Sequence, residues 1–130
     1  MPANPTPAAP SAIVDPERIT HYHAHIYYDP GTRERAARLR ENVAATFPSA
    51  LLGRWHDPTV GPHPQSMYQI AFPRTLLGAF LPWLMLNRDG LTILLHAETG
   101  DDYVDHTDHA VWLGAMLPLR LEVFRRAARG

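Results

Sequence analysis

The run Thr20-His21-Tyr22-His23-Ala24-His25-Ile26-Tyr27-Tyr28-Asp29 alternates imidazoles with apolar residues at a period of two, the pattern of a strand with one buried face. At a rise of about 3.3 Å per residue, His21, His23, His25 and Tyr27 share one face, and Tyr22, Ala24, Ile26 and Tyr28 share the other. The apolar face packs on a core. Packing poorly explains the imidazole face, because imidazole is the commonest protein metal ligand and the natural acid or base near neutral pH. A purification tag does not fit, since the histidines interleave with strand-forming residues.

The chain around this strand reads as two similar halves. Asp29-Pro30-Gly31-Thr32 turns into an amphipathic helix over 32–47, with Ala36, Leu39, Val43 and Phe47 on one stripe and Pro48 blocking its extension. A second strand is expected over 50–56, a proline-rich loop over 57–64 and a third strand over 66–72. An apolar helix over 73–87 follows, with Pro82 expected to kink it and Gly90 suited to a left-handed position after its end. Residues 91–96 form a fourth strand, apolar throughout and so central. Residues 97–114 read as polar and then short-helical, and 119–124 as a strand or a helical tail. The order βαββαβ predicts an α+β, ferredoxin-like fold, an antiparallel four-stranded sheet with both helices on one face. The other face is then open, and the histidine row lies on it. In that arrangement the fourth strand is at an edge of the sheet.

Totals narrow the functional classes. At 130 residues the chain fits one domain over 18–130, preceded by a disordered lead-in over 1–17 that holds five of the thirteen prolines up to Pro16. Twelve basic against thirteen acidic residues give no nucleic-acid surface. The absence of cysteine removes disulfides, thiolate catalysis and cysteine zinc sites, so any metal site uses His, Asp, Glu or Tyr. The Pro- and Ala-rich opening lacks the regions of a secretory signal, and no apolar run reaches the roughly 20 residues that span a bilayer. A cytoplasmic protein without membrane contact is expected.

Eight histidines stand at 21, 23, 25, 56, 63, 96, 106 and 109. His25 lies near the end of the first strand, His63 in the Gly61-Pro62-His63-Pro64 loop, His96 at the end of the fourth strand, and His106 after Asp105. His25 and His96 can both reach one patch of the open face, and the loop carrying His63 would have to fold over it. Each has a structural alternative: His63 as a turn residue, His96 as a core-edge imidazole bonded to a carbonyl. Tyr27, Tyr68 and Trp83 are core aromatics or substrate contacts, and Arg54 and Arg88 pair with local acids or clamp a substrate carboxylate. The residues alone support a histidine site for a borderline metal such as iron or zinc. They do not name a reaction.

The segments His23-Ala24-His25-Ile26-Tyr27-Tyr28-Asp29, Gly61-Pro62-His63-Pro64, Pro82-Trp83-Leu84, Leu95-His96, Thr99-Gly100-Asp101 to Asp105-His106-Thr107 and Trp112-Leu113-Gly114 together resemble the DOPA 4,5-dioxygenase family. The resemblance runs in order over 19–119. It implies a non-haem extradiol dioxygenase that opens the ring of a catechol such as DOPA with O₂, built as a homodimer on a ferredoxin-like fold. It implies Fe(II) as cofactor, with zinc or another divalent metal in a purified sample. His25, His63 and His96 become the expected ligands, with His23 as an alternative. His106 becomes the acid or base or a partner that orients a ligand, itself oriented by Asp105, with His23 as a second catalytic candidate. A ligand set of two histidines and one carboxylate, from Glu98 or Asp101, is the other option. A non-catalytic metal- or ligand-binding module and a structural dimerisation domain are the competing classes.

Overall fold

The computed structural model describes residues 12–129. The central element is the histidine strand, β1 (His21–Tyr28), because it alone among the early segments offers one fully apolar face and pairs on both flanks. It runs antiparallel to β3 (Ser66–Pro73) on one side and to β4 (Ile93–Glu98) on the other. With β2 (Leu51–Leu52) and β5 (Ala110–Leu113) the sheet order is β2-β3-β1-β4-β5, antiparallel at every pairing. The architecture is α+β and ferredoxin-like, as the order of elements predicts.

Two helices cover one face of the sheet. α1 (Arg33–Thr46) buries Ala36, Leu39 and Val43, and α2 (Leu77–Asn87) buries Phe80 and Leu84. They pack on Ala24, Ile26 and Tyr28 of β1, Tyr68, Ile70 and Phe72 of β3, and Ile93 and Leu95 of β4. The turn into α1 closes on itself, the Thr32 amide donating to Asp29 Oδ1 at 2.9 Å and the Asp29 amide to Thr32 Oγ1 at 2.9 Å. Tyr68 ties sheet to helix by donating its hydroxyl to the Ala36 carbonyl at 2.7 Å. That carbonyl lies inside the helix and accepts a side-chain bond on its second lone pair.

Several boundaries differ from the sequence reading. The second strand keeps only Leu51 and Leu52. Gly53 then meets β3 so closely that a Cβ there would stand 3.1 Å from the Gln69 carbonyl oxygen, and Trp55 turns towards the helix-side core against Tyr28 and Tyr68. The second helix starts at Leu77, after a 3-10 turn over Arg74–Leu76, and contains Pro82. Gly90 takes φ +75° after it, and Asp89 joins it at φ 53°. The fourth strand starts at Ile93, ends at Glu98 and is not an edge, because β5 pairs along its outer side. Between them the polar segment forms a single helical turn, α3 (Asp102–Asp105), capped by Asp101 accepting from the Val104 amide. The tail is helical, α4 (Glu122–Arg129).

Of the expected disordered lead-in, residues 1–11 lie outside the described residues, and Pro16–Arg18 form a 3-10 turn capped by Asp15. No described helix is long and apolar enough to cross a membrane.

Candidate metal centre

The pleat places His21, His23, His25 and Tyr27 on the face away from the helices, and register does the rest. His96 of β4 stands directly opposite His23, and Leu94 opposite His25, so His96 lies diagonally across from His25 on the same face. The His25 and His96 Nε2 atoms come to 3.0 Å. His63 reaches over from its loop to 4.2 Å between ring centroids from His25, and His106, after α3, lies 4.0 Å from His96. These four imidazoles are buried. His23 sits at their margin, 5.4 Å from His96 between centroids, with its Nδ1 3.0 Å from the Glu98 carboxylate.

Hydrogen bonds determine which nitrogens are free. A carbonyl can only accept, so His96 Nδ1 donates to Ala97 O at 3.0 Å and His106 Nδ1 donates to Asp102 O at 2.7 Å. Both rings therefore keep their Nε2 lone pair. His63 Nδ1 is held by the Tyr27 hydroxyl at 2.7 Å. His25 must donate its Nε2 proton to the bare His96 Nε2, and its own Nδ1 is buried with no partner. A buried imidazole nitrogen left without a bond costs stability. Orientation of one ring nitrogen by a carbonyl or hydroxyl, leaving the other free, is how metal-binding histidines are prepared.

Electrostatics point the same way. Burial, then the neighbouring imidazoles His63, His96 and His106, hold His25 well below the ordinary histidine value. Burial also lowers His63 to about 3, His96 to about 4 and His23 to about 4, the carbonyl of Ala97 offsetting only part of the effect on His96. His106 is lowered by burial as well. All are neutral near pH 7, the form that binds metal.

The donor set fits a divalent metal ion of borderline character. Two groups bring ligand atoms within 4.8 Å of one another around His25, namely His23, His25 and His96, and His25, His63 and His106. A third, His21, His23 and Glu98, lies at the exposed end.

Other sequence candidates lie elsewhere. Tyr27 is buried beneath the site and holds His63, so it serves as a support for a histidine. Trp83 packs on Phe47 and Phe80 in the helix-side core, on the opposite face of the sheet. Arg54 is exposed beyond the β2 edge. Arg88 closes the turn before β4 by donating to the Leu91 carbonyl at 2.9 Å. Asp105 does not orient His106: its buried carboxylate accepts from the Thr99 amide and hydroxyl and from His109 Nδ1 at 2.8 Å. Asp101 is spent on capping α3, whereas Glu98 remains beside His23 and His96. The strand β5 was not anticipated, although Ala110-Val111-Trp112-Leu113 before Gly114 has a strand's composition.

If Tyr27 prepares His63, Tyr27→Phe keeps the aromatic core and loses only that bond. Zn(II) affinity, read by competition with a chromophoric chelator, is expected to fall about 10- to 100-fold. An unchanged affinity would show that His63 is held without the hydroxyl or does not ligate.

Comparison with known proteins identifies the family. The Dopa 4,5-dioxygenase family pattern matches residues 22–123. A "DOPA 4,5-dioxygenase" of Amanita muscaria is 31% identical over 119 residues, covering 84% of this chain, and an "Uncharacterized 21.2 kDa protein" of Botryotinia fuckeliana is 34% identical over 116 residues, covering 81%. The aligned regions span only 51% and 63% of those two relatives. A crystal structure of a "putative dioxygenase" from Nostoc punctiforme superposes with a TM-score of 0.86 at 48% identity, covering 88% of this chain and 99% of that one. The chain belongs to the Dopa 4,5-dioxygenase family.

Proposed function

We propose that this chain is a non-haem, Fe(II)-dependent extradiol dioxygenase that opens a catechol ring with O₂. The observation that carries the reading is the buried cluster of His25, His63, His96 and His106, neutral at pH 7 and fixed through Nδ1 in three of its four rings. The family membership and the relatives' names support it.

In this reading the metal is held by His25 with His63 and His96, each of which shares a compact ligand group with His25 but not with the other, and His23 stands in reserve beside Glu98. Bound Fe(II) supplies Lewis acidity towards the diol and an electron route to O₂. The overall change balances without a further reductant: one ring C–C bond beside the diol breaks, and both atoms of O₂ enter the product. His106 is the base. Its Nδ1 is occupied by the Asp102 carbonyl, and burial keeps its Nε2 unprotonated, so Nε2 can accept a catechol proton and return it later. The buried surroundings of the cluster exclude bulk water from that exchange. Homodimer assembly and a cytoplasmic location belong to the same reading.

Anaerobic loading with Fe(II), followed by DOPA or a simpler catechol and then air, tests it. A yellow absorbance that requires both iron and oxygen is expected. Bound iron with no colour from any catechol would favour the binding module. His106→Ala is expected to lower turnover by about 100-fold or more while metal stays bound. Loss of metal from that variant would make His106 a ligand.

A further inference from the structure

Beside the imidazole cluster lies a cavity of about 460 Å³, within the usual size of a small-molecule site. His106 forms the wall shared by cluster and cavity. The rest is lined chiefly by Trp112, Met116, Leu117, Leu119 and Asp108. Trp112 stacks on Tyr27 at 6.0 Å between centroids, and Tyr27 in turn bonds His63. The cavity floor is thus continuous with the residues that support the histidines. Leu117 and Leu119 pack with Tyr27, Met67 and Leu94 in a second apolar cluster on the open face.

The charge of this lining is informative. The chain has no lysine, and among the described residues no arginine lines the cavity. Arg33 is engaged by Asp57, Arg88 by the Leu91 carbonyl and Arg125 by the Tyr103 hydroxyl, while Arg120, between the lining residues Leu119 and Leu121, is exposed and not part of the wall. Among the described residues, the one carboxylate on the wall is Asp108. A ligand carboxylate placed here would lose water, gain no cationic partner from the described wall and face a like charge. An alkyl group would gain about fourfold in affinity for each methylene it buries.

We infer that the cavity receives the ring substituent, and that the preferred substrate is a catechol with an uncharged, apolar substituent and not an amino-acid or carboxylate side chain. This rests on the dioxygenase reading and narrows it.

Anaerobic calorimetric titration of the Fe(II)-loaded protein with 4-propylcatechol and with 3-(3,4-dihydroxyphenyl)propionate compares two catechols whose side chains have the same carbon count and differ in charge. The propyl compound is expected to bind about 10-fold tighter or more, with DOPA weaker than either. Equal or tighter binding of the propionate or DOPA overturns the inference and leaves the dioxygenase reading standing. Failure of every catechol to bind or to be opened in air overturns both. Met116 is 73% exposed on the cavity rim, so Met116→Arg spares the core. That variant is expected to narrow or reverse the preference; an unchanged ratio would show that the substituent does not enter this cavity.

Discussion

His25→Ala is expected to abolish metal binding and turnover together. His25 is the member common to the two buried ligand groups, one with His23 and His96 and the other with His63 and His106. Its loss therefore disables the site whichever group the ion selects. Affinity should drop by more than about 100-fold, beyond the range usual for residues that only support a ligand. The fold should survive, because the helix-side core contributes none of this side chain and the substitution removes a buried nitrogen that has no hydrogen-bond partner. Metal content after dialysis, with a thermal melt as control, decides it. Retained stoichiometric metal at unchanged affinity would dismiss both groups at once.

Acid is expected to weaken the metal-free fold well before carboxylates dominate. In the unfolded chain each histidine takes up a proton near pH 6.5, whereas in the fold His23 and His96 do so near 4 and His63 near 3. Between those limits the unfolded state binds more protons, so stability is full above about pH 6.5 and falls as pH decreases towards 3. Each pKa unit is worth about 1.4 kcal/mol. Three such groups, with His25 acting in the same direction, amount to several kcal/mol, on the order of a domain's whole stability. Glu98 opposes this slightly, since burial raises it, with Asp105 and Asp102 adding to the effect. Urea midpoints at pH 7, 6 and 5 in the presence of chelator measure the loss. A midpoint constant over that range would mean that the cluster admits water and protons without unfolding.

The parts of this structure readable in the sequence are those governed by local period. Alternation along 21–28 assigned each histidine of β1 to its face, and the stripe Ala36, Leu39 and Val43 assigned the buried side of α1. His25, His63 and His96 were expected to share one patch; the structure sets His25 in one ligand group with His23 and His96 and in another with His63 and His106. What escaped depended on distant pairing. β5 has four residues, too few for periodicity to distinguish from a loop, and exists because β4 offers it an edge. Trp83 could be read as a core aromatic or a substrate contact, and only the packing of α2, which turns it to Phe47 and Phe80, decides for the core. Asp105 precedes His106 in sequence, but one helical turn carries its carboxylate to Thr99 and His109. Neighbours in sequence within a turn point in different directions.

β1 is bonded along both flanks, with His23 set between Ala71 and His96 and His25 between Gln69 and Leu94. A slip of one residue would turn every imidazole of this strand under the helices and expose Tyr22, Ala24, Ile26 and Tyr28. Such a chain would bury the polar rings of the whole row without partners, whereas in the correctly paired chain only the His25 Nδ1 of this strand is buried unpartnered. The histidine row thus acts as a proofreader of strand alignment: the same residues that line the open face make every misaligned sheet unstable. Alanine replacements along the row would then raise the yield of misaligned, aggregating chains during refolding even where the mature fold tolerates them.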